Sequence, residues 1–160
     1  MEVFRITKKK YADKFFAPGV TGRWNKKGEE VIYTAFSRSL ACLENMVHKS
    51  GKGGTLSYRT MVIYIPDTLA IEQVSLKDLP ENWNQISFCQ DCQQKGSEWY
   101  TSKKTAVLKV PSAVIPDEFN FVLNVGHTDF KQIKLVDSLP FIFDKRLFDD
   151  SKVRTKKIKI

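Results

Sequence analysis

Hydrophobic positions along this chain come mostly in short runs rich in β-branched and aromatic residues, separated by polar turns. Residues 3–6, 31–34, 60–65, 106–110, 119–123, 132–136 and 141–143 follow that pattern and are predicted strands. Helical spacing is convincing only over 37–49. There Leu40, Leu43 and Val47 recur at i, i+3 and i+7, Ser37 stands where an N-cap belongs, and Gly51, Gly53 and Gly54 end the pattern. No internal repeat and no Pro/Gly/Ser-rich linker divides the sequence. The prediction is a β-rich α+β domain with two packed sheets and one principal helix.

At 160 residues the chain suits one domain able to bury a core without staples. Its 42% hydrophobic and 28% charged content excludes collagen-like and fully disordered classes. Apolar runs such as 61–66 are far short of the roughly 18–20 residues that span a bilayer. No basic segment followed by an apolar one opens the chain, so a soluble, cytoplasmic protein without membrane contact is expected.

The formal net charge of +8 invites a nucleic-acid reading, but the excess is terminal. Arg5, Lys8, Lys9, Lys10 and Lys14 face only Glu2 and Asp13 at one end. At the other, Lys152, Arg154, Lys156, Lys157 and Lys159 meet no acid. The body between them is neutral. A division into a domain over 1–150 and a basic tail over 151–160 follows. The tail is a solvated end, an aid to steering an anion, or a dock for an acidic partner.

Three cysteines do not suit a disulfide framework. Cys89 and Cys92 form a lone C-x-x-C in a polar stretch read as a loop, without the further ligands a structural zinc needs. They are read as incidental thiols, and Cys42 as core filling. No metal site is expected. Neither G-x-S-x-G, nor a phosphate-binding G-x-x-x-x-G-K-[ST], nor G-x-G-x-x-G occurs.

Chemistry is sought where local rules break. Glu44 follows Leu40 by four residues and so shares the apolar side of its helix, with His48 a further turn on. A carboxylate there snorkels to solvent, pairs with the histidine, or faces a cleft. Gly22, Arg23, Trp24 and Asn25 combine a tight backbone, a planar donor fork and a large ring. They suit either an anion beside a stacked base or a turn whose Trp plugs the core. Ser112 follows a strand that runs into Pro111, where a hydroxyl bonds a ligand or satisfies local backbone. Asn120, Asn124 and His127 are polar groups among apolar strand residues, the two asparagines being candidates for organising turns.

Taken in order, Phe4-Arg5-Ile6, Gly22-Arg23-Trp24-Asn25, Val31-Ile32-Tyr33-Thr34-Ala35, Leu40-Ala41-Cys42-Leu43-Glu44 with His48, and Val110-Pro111-Ser112 resemble the RES domain family. The stretch from Glu118 to Asn124 with His127, and that from Phe141 to Leu147, continue the likeness, which covers about residues 2–148. The resemblance implies an ADP-ribosyltransferase-like mixed two-sheet core around an NAD+ cleft. It implies the toxin of a bacterial type II toxin–antitoxin pair that depletes NAD+ as a glycohydrolase or phosphorylase, with NAD+ as substrate and no cofactor. An Xre-type helix-turn-helix antitoxin would be the partner, a homodimer is an option, and DNA is reached only through the antitoxin.

By position, the resemblance assigns Glu44, Arg23 and Tyr33 to catalysis. It assigns Arg5, Arg23, Tyr33, Ser112, Trp24 and Asn25 to binding NAD+. A carboxylate beside a breaking N-glycosidic bond stabilises the oxocarbenium-like ribose, and two arginines clamp a pyrophosphate. Two alternatives stand beside this: mono-ADP-ribosylation of a host protein, and a nucleic-acid-binding module that uses the basic termini.

Overall fold

The structure, a computed structural model, describes residues 1–48, 57–85 and 89–148. The basic tail, the glycines at 51, 53 and 54, and the side chains of His48 and Cys89 lie outside the described residues.

Seven strands and two α-helices are present among them: β1 (Glu2–Lys8), β2 (Val31–Ala35), α1 (Arg38–His48), β3 (Tyr58–Tyr64), β4 (Ile71–Gln73), α2 (Cys89–Ser102), β5 (Val107–Pro111), β6 (Phe119–Asn124) and β7 (Lys134–Phe141). The strands are ordered β4-β5-β6-β2-β1-β3-β7, and only β4 and β5 run parallel, so the sheet is mixed. The expected two-sheet character survives in one detail. β1 and β2 share a single pair, Phe4 with Ala35, where β1 and β3 share seven pairs. The four strands β4-β5-β6-β2 and the three strands β1-β3-β7 are therefore two halves joined at one point.

Side-chain alternation sorts the core into layers. Val3, Ile32, Met61, Ile63, Phe121 and Leu123 form one layer that runs across both halves. On the opposite face two separate patches are covered, one by each helix. Trp99 and Cys92 of α2 pack with Leu108, Val110 and Val122. Leu40 and Ala41 of α1 pack with Phe4, Ile6, Ala35 and Val62. Between these two patches the sheet has a seam.

The helix α1 begins as predicted, with the Leu40 N–H donating to Ser37 Oγ at 3.0 Å. Its buried stripe differs from the prediction. Leu40, Ala41, Glu44 and Asn45 face the protein, whereas Leu43 (39% exposed) and Val47 (61%) face out. The packing therefore places the polar Glu44 and Asn45 inward at the C-terminal half of the helix.

Two expectations are corrected. The polar stretch around Cys89 and Cys92, read as a loop, opens the helix α2. Its apolar anchors are only Cys92, Trp99 and Tyr100, too few and too mixed with Gln and Lys for a strong helical period. Cys92 is a core residue under this helix. The two strands expected at 132–136 and 141–143 are one edge strand, β7, with a register shift opposite Val62 and Ile63 that leaves Val136 unpaired. Pro140 is tolerated there because an edge strand need not donate on its outer side. None of the helices among the described residues is long and apolar enough to cross a membrane.

Candidate functional site

Glu44 reaches from α1 to the seam of the sheet. Its Oε1 accepts from Ser112 Oγ at 2.8 Å and from Asn120 Nδ2 at 2.5 Å. No described cation lies within salt-bridge distance of Glu44, and no described donor meets its Oε2. Ser112 is 0% exposed, in the turn that leaves β5 at Pro111. Its hydroxyl also accepts from the Val114 and Ile115 N–H groups at 3.1 and 3.0 Å. A hydroxyl has one donor and two lone pairs, so all three are spent. In this arrangement Ser112 orients the carboxylate, and its three hydrogen-bonding positions are taken up within the protein.

Arg5 stands where the two halves of the sheet part. Its Nη1 donates to the Tyr33 carbonyl oxygen at 2.8 Å, a group on β2 that no strand pair with β1 takes up. Burial pushes the Arg5 guanidinium below its ordinary pKa, though an arginine stays charged in proteins. Among the described residues no carboxylate pairs with it. A half-buried cation without an anion is partly desolvated and uncompensated, so the position is suited to receive one. Arg5 lines a cleft of about 530 Å³ with Thr7, Lys8, Tyr11, Phe16 and Asn45, a size usual for a small-molecule site. The Tyr11 and Phe16 rings stack there at 4.9 Å. Asn45 donates to the Ile6 carbonyl at 2.8 Å and leaves its buried Oδ1 without a partner.

The segment 22–25 is built differently. Trp24 (3% exposed) is part of the core under α2, and Asn25 (0%) is enclosed. Tyr33 Oη donates to Asn25 Oδ1 at 2.8 Å and accepts from the Trp24 N–H at 2.9 Å. Asn25 Nδ2 donates to the Val20 and Lys26 carbonyls. Gly22 is required by this contact, since a Cβ there would lie 2.6 Å from both Asn25 Oδ1 and Tyr33 Oη. Trp24 and Asn25, both expected at the NAD+ site, stand buried in this scaffold, and Tyr33 Oη bonds to each of them. Arg23 donates from Nη1 to the Trp83 and Gln85 carbonyls at 2.6 and 3.1 Å, and from Nη2 to the Asn84 carbonyl at 3.1 Å. Its Nε–H and one Nη2–H meet no acceptor among the described residues.

Several contributors escape sequence reasoning. Gln93 of α2 donates to Thr21 Oγ1 and to the Gly22 and Asn25 carbonyls. Gly96 lets the helix approach so closely that a Cβ would overlap the Trp24 carbonyl. These residues carry no signal in a stretch without strong helical period. Of the flagged polar residues, Asn124 and His127 organise turns: Asn124 Oδ1 accepts from the Gly126 N–H, and His127 Nδ1 accepts from the Asp129 N–H. Asn120 joins Glu44 instead. Its signal was a lone amide between Phe119 and Phe121 in a buried strand.

The structure therefore brings together Glu44, Ser112 and Asn120 at the seam, and Arg5 with the Tyr33 backbone at the junction of the halves. It keeps Arg23, Trp24, Asn25 and the Tyr33 hydroxyl in a separate buttress. No group of three or more His, Cys, Asp or Glu residues that could hold a metal ion occurs among the described residues.

Comparison with known proteins places the fold and the family. A chain in the crystal structure of the M. tuberculosis MbcT-MbcA toxin-antitoxin complex superposes with a TM-score of 0.71 at 19% identity, covering 88% of this chain and 83% of that one. The Prs ADP-ribosylating toxin of Sphingobium sp. is 38% identical over 128 residues, which is 79% of this chain and 80% of the relative. Toxin Res of Yersinia enterocolitica is 34% identical over 152 residues, covering 92% of this chain and 99% of its own. The RES domain model matches residues 2–144, and the chain belongs to the RES domain family.

Proposed function

We propose that this chain is the toxin of a bacterial toxin–antitoxin pair and that it consumes NAD+ by breaking the bond between nicotinamide and ribose. The observation that carries the reading is the Glu44 carboxylate, pinned at Oε1 by Ser112 and Asn120 and without a described donor at Oε2. Such a group supplies negative charge at a fixed point, which is what a developing oxocarbenium ion needs. The electron pair of the C1′–N bond leaves with nicotinamide, which departs uncharged. The ribose carbon is then captured by water, which loses a proton, or by phosphate. Arg5, a half-buried cation without a described carboxylate partner, supplies the complementary site for the pyrophosphate. Along the sheet, Phe4, Ala35 and Asn120 lie on one row of paired residues.

The relatives' names support a toxin, and an antitoxin of the Xre helix-turn-helix type is the proposed partner that silences it. Transfer of ADP-ribose to a protein is the second reading, favoured by the name of the Sphingobium relative.

The test is NAD+ consumption by the purified chain with and without phosphate, beside Glu44→Gln. Nicotinamide release is expected from the wild type, reduced about 1,000-fold in the variant, on the scale of removing an electrostatic stabiliser. Equal release from both would remove Glu44 from the reaction. ADP-ribose recovered only as a protein adduct would select the second reading.

A further inference from the structure

We infer that Asn120 is a positioning residue for the Glu44 carboxylate, an assignment that rests on the proposed role of Glu44 in the reaction. Asn120, the second residue of β6, is 8% exposed, with Phe121, Val122 and Leu123 buried directly after it. A residue needed only to fill space there would be apolar as well. Its Nδ2 meets Glu44 Oε1 at 2.5 Å, while its Oδ1 is buried without a partner. A buried unpaired acceptor is a desolvation cost that native structures rarely carry without a reason. The amide cannot relieve it by turning over, because that would set an oxygen against the carboxylate with no proton between them.

Asn124, on the same strand and the same face, shows the contrast. Its Oδ1 accepts from the Gly126 N–H at 3.0 Å and its Nδ2 donates to the Tyr100 carbonyl at 3.4 Å, so both ends are used. Asn120 keeps one end idle to hold the other in place.

Strand register explains why this position reaches Glu44. Asn120 pairs with Val110 on one side and Ala35 on the other. Val110 belongs to the patch covered by α2, and Ala35 to the patch covered by α1. Asn120 thus stands at the seam, beside the small side chain of Ala35, where Glu44 comes down from α1. Ser112 approaches from the turn after β5 and Asn120 from the middle of the sheet. Two donors from two elements on one oxygen fix the carboxylate more narrowly than either alone, and both leave Oε2 unoccupied.

The test compares the full chain with Asn120→Ala, Asn120→Asp, Glu44→Gln and the double variant Asn120→Asp/Glu44→Gln. For Asn120→Ala, kcat for NAD+ is expected to fall about 30- to 100-fold, with KM held within about twofold, the scale of a misplaced reacting group. Asn120→Asp keeps the shape but faces Glu44 with a second carboxylate, so its turnover should be no better than that of Asn120→Ala. In thermal melts Asn120→Asp should lower Tm by about 4 °C or more. Most of that loss should return in the double variant, where an amide at position 44 donates to a carboxylate at 120. An equal melting penalty for Asn120→Asp in both backgrounds would overturn the assignment. So would an Asn120→Asp enzyme faster than Asn120→Ala. Wild-type protein that leaves NAD+ intact would sink the proposed reaction, yet the melting comparison would still decide whether Asn120 grips Glu44.

Discussion

The seam at Glu44 and the buttress at 22–25 are both polar clusters inside an apolar protein, and they use their hydrogen-bonding capacity in opposite ways. In the buttress, Tyr33 Oη both donates and accepts, and Asn25 bonds at both ends of its amide. Three carbonyls share one guanidinium. Around Glu44 the ledger is left open: Oε2 meets no described donor, and Asn120 Oδ1 is orphaned. Polarity alone does not mark a functional site. Unspent capacity, held in place by groups that are themselves spent, marks it better.

That contrast can be broken from the buttress side, where variants should cost stability and spare the chemistry. The largest effect is expected from Gly96→Ala, whose Cβ would overlap the Trp24 carbonyl, a backbone group with little freedom to yield. A loss of about 3 kcal/mol in chemical denaturation is anticipated, with kcat per folded molecule near that of wild type. Tyr33→Phe comes next. It strands Asn25 Oδ1 and the Trp24 N–H, which should cost about 2 kcal/mol and change NAD+ turnover less than threefold. A collapse of kcat at unchanged Tm would instead return Tyr33 to the catalytic role that family resemblance gives it. The smallest effect is expected for Arg23→Lys. An ammonium cannot serve three carbonyls as a planar fork does, so a melting study should show about 1 kcal/mol lost. A large rise in KM without that loss would mean that the two unspent Arg23 donors bind the substrate.

Much of this was legible in the residues, for reasons that can be named. β2 and β6 announced themselves because buried central strands are continuous runs of Val, Ile, Phe and Leu. Glu44 stood out because i+4 spacing from Leu40 put a carboxylate on a buried stripe. The helix α2 was invisible because it is held by Gln93 hydrogen bonds and a glycine contact more than by an apolar face. Local sequence does not display such long-range bonds. The same limit applies to Ser112 and Trp24. Their residue types fitted a ligand site, and only the fold shows that one hydroxyl is full and one ring is enclosed.

The junction between β1 and β2 has a mechanical consequence. With one strand pair at Phe4 and Ala35, and the Arg5 guanidinium bridging to the Tyr33 carbonyl, the backbone bonding across the sheet is thinnest at this point. The apolar layer that runs across both halves carries most of what holds them together there. The arginine that spans the gap is also the proposed receiver of the pyrophosphate. An anion seated there would tie itself to the splice, so that substrate affinity and the unity of the sheet would rise and fall together.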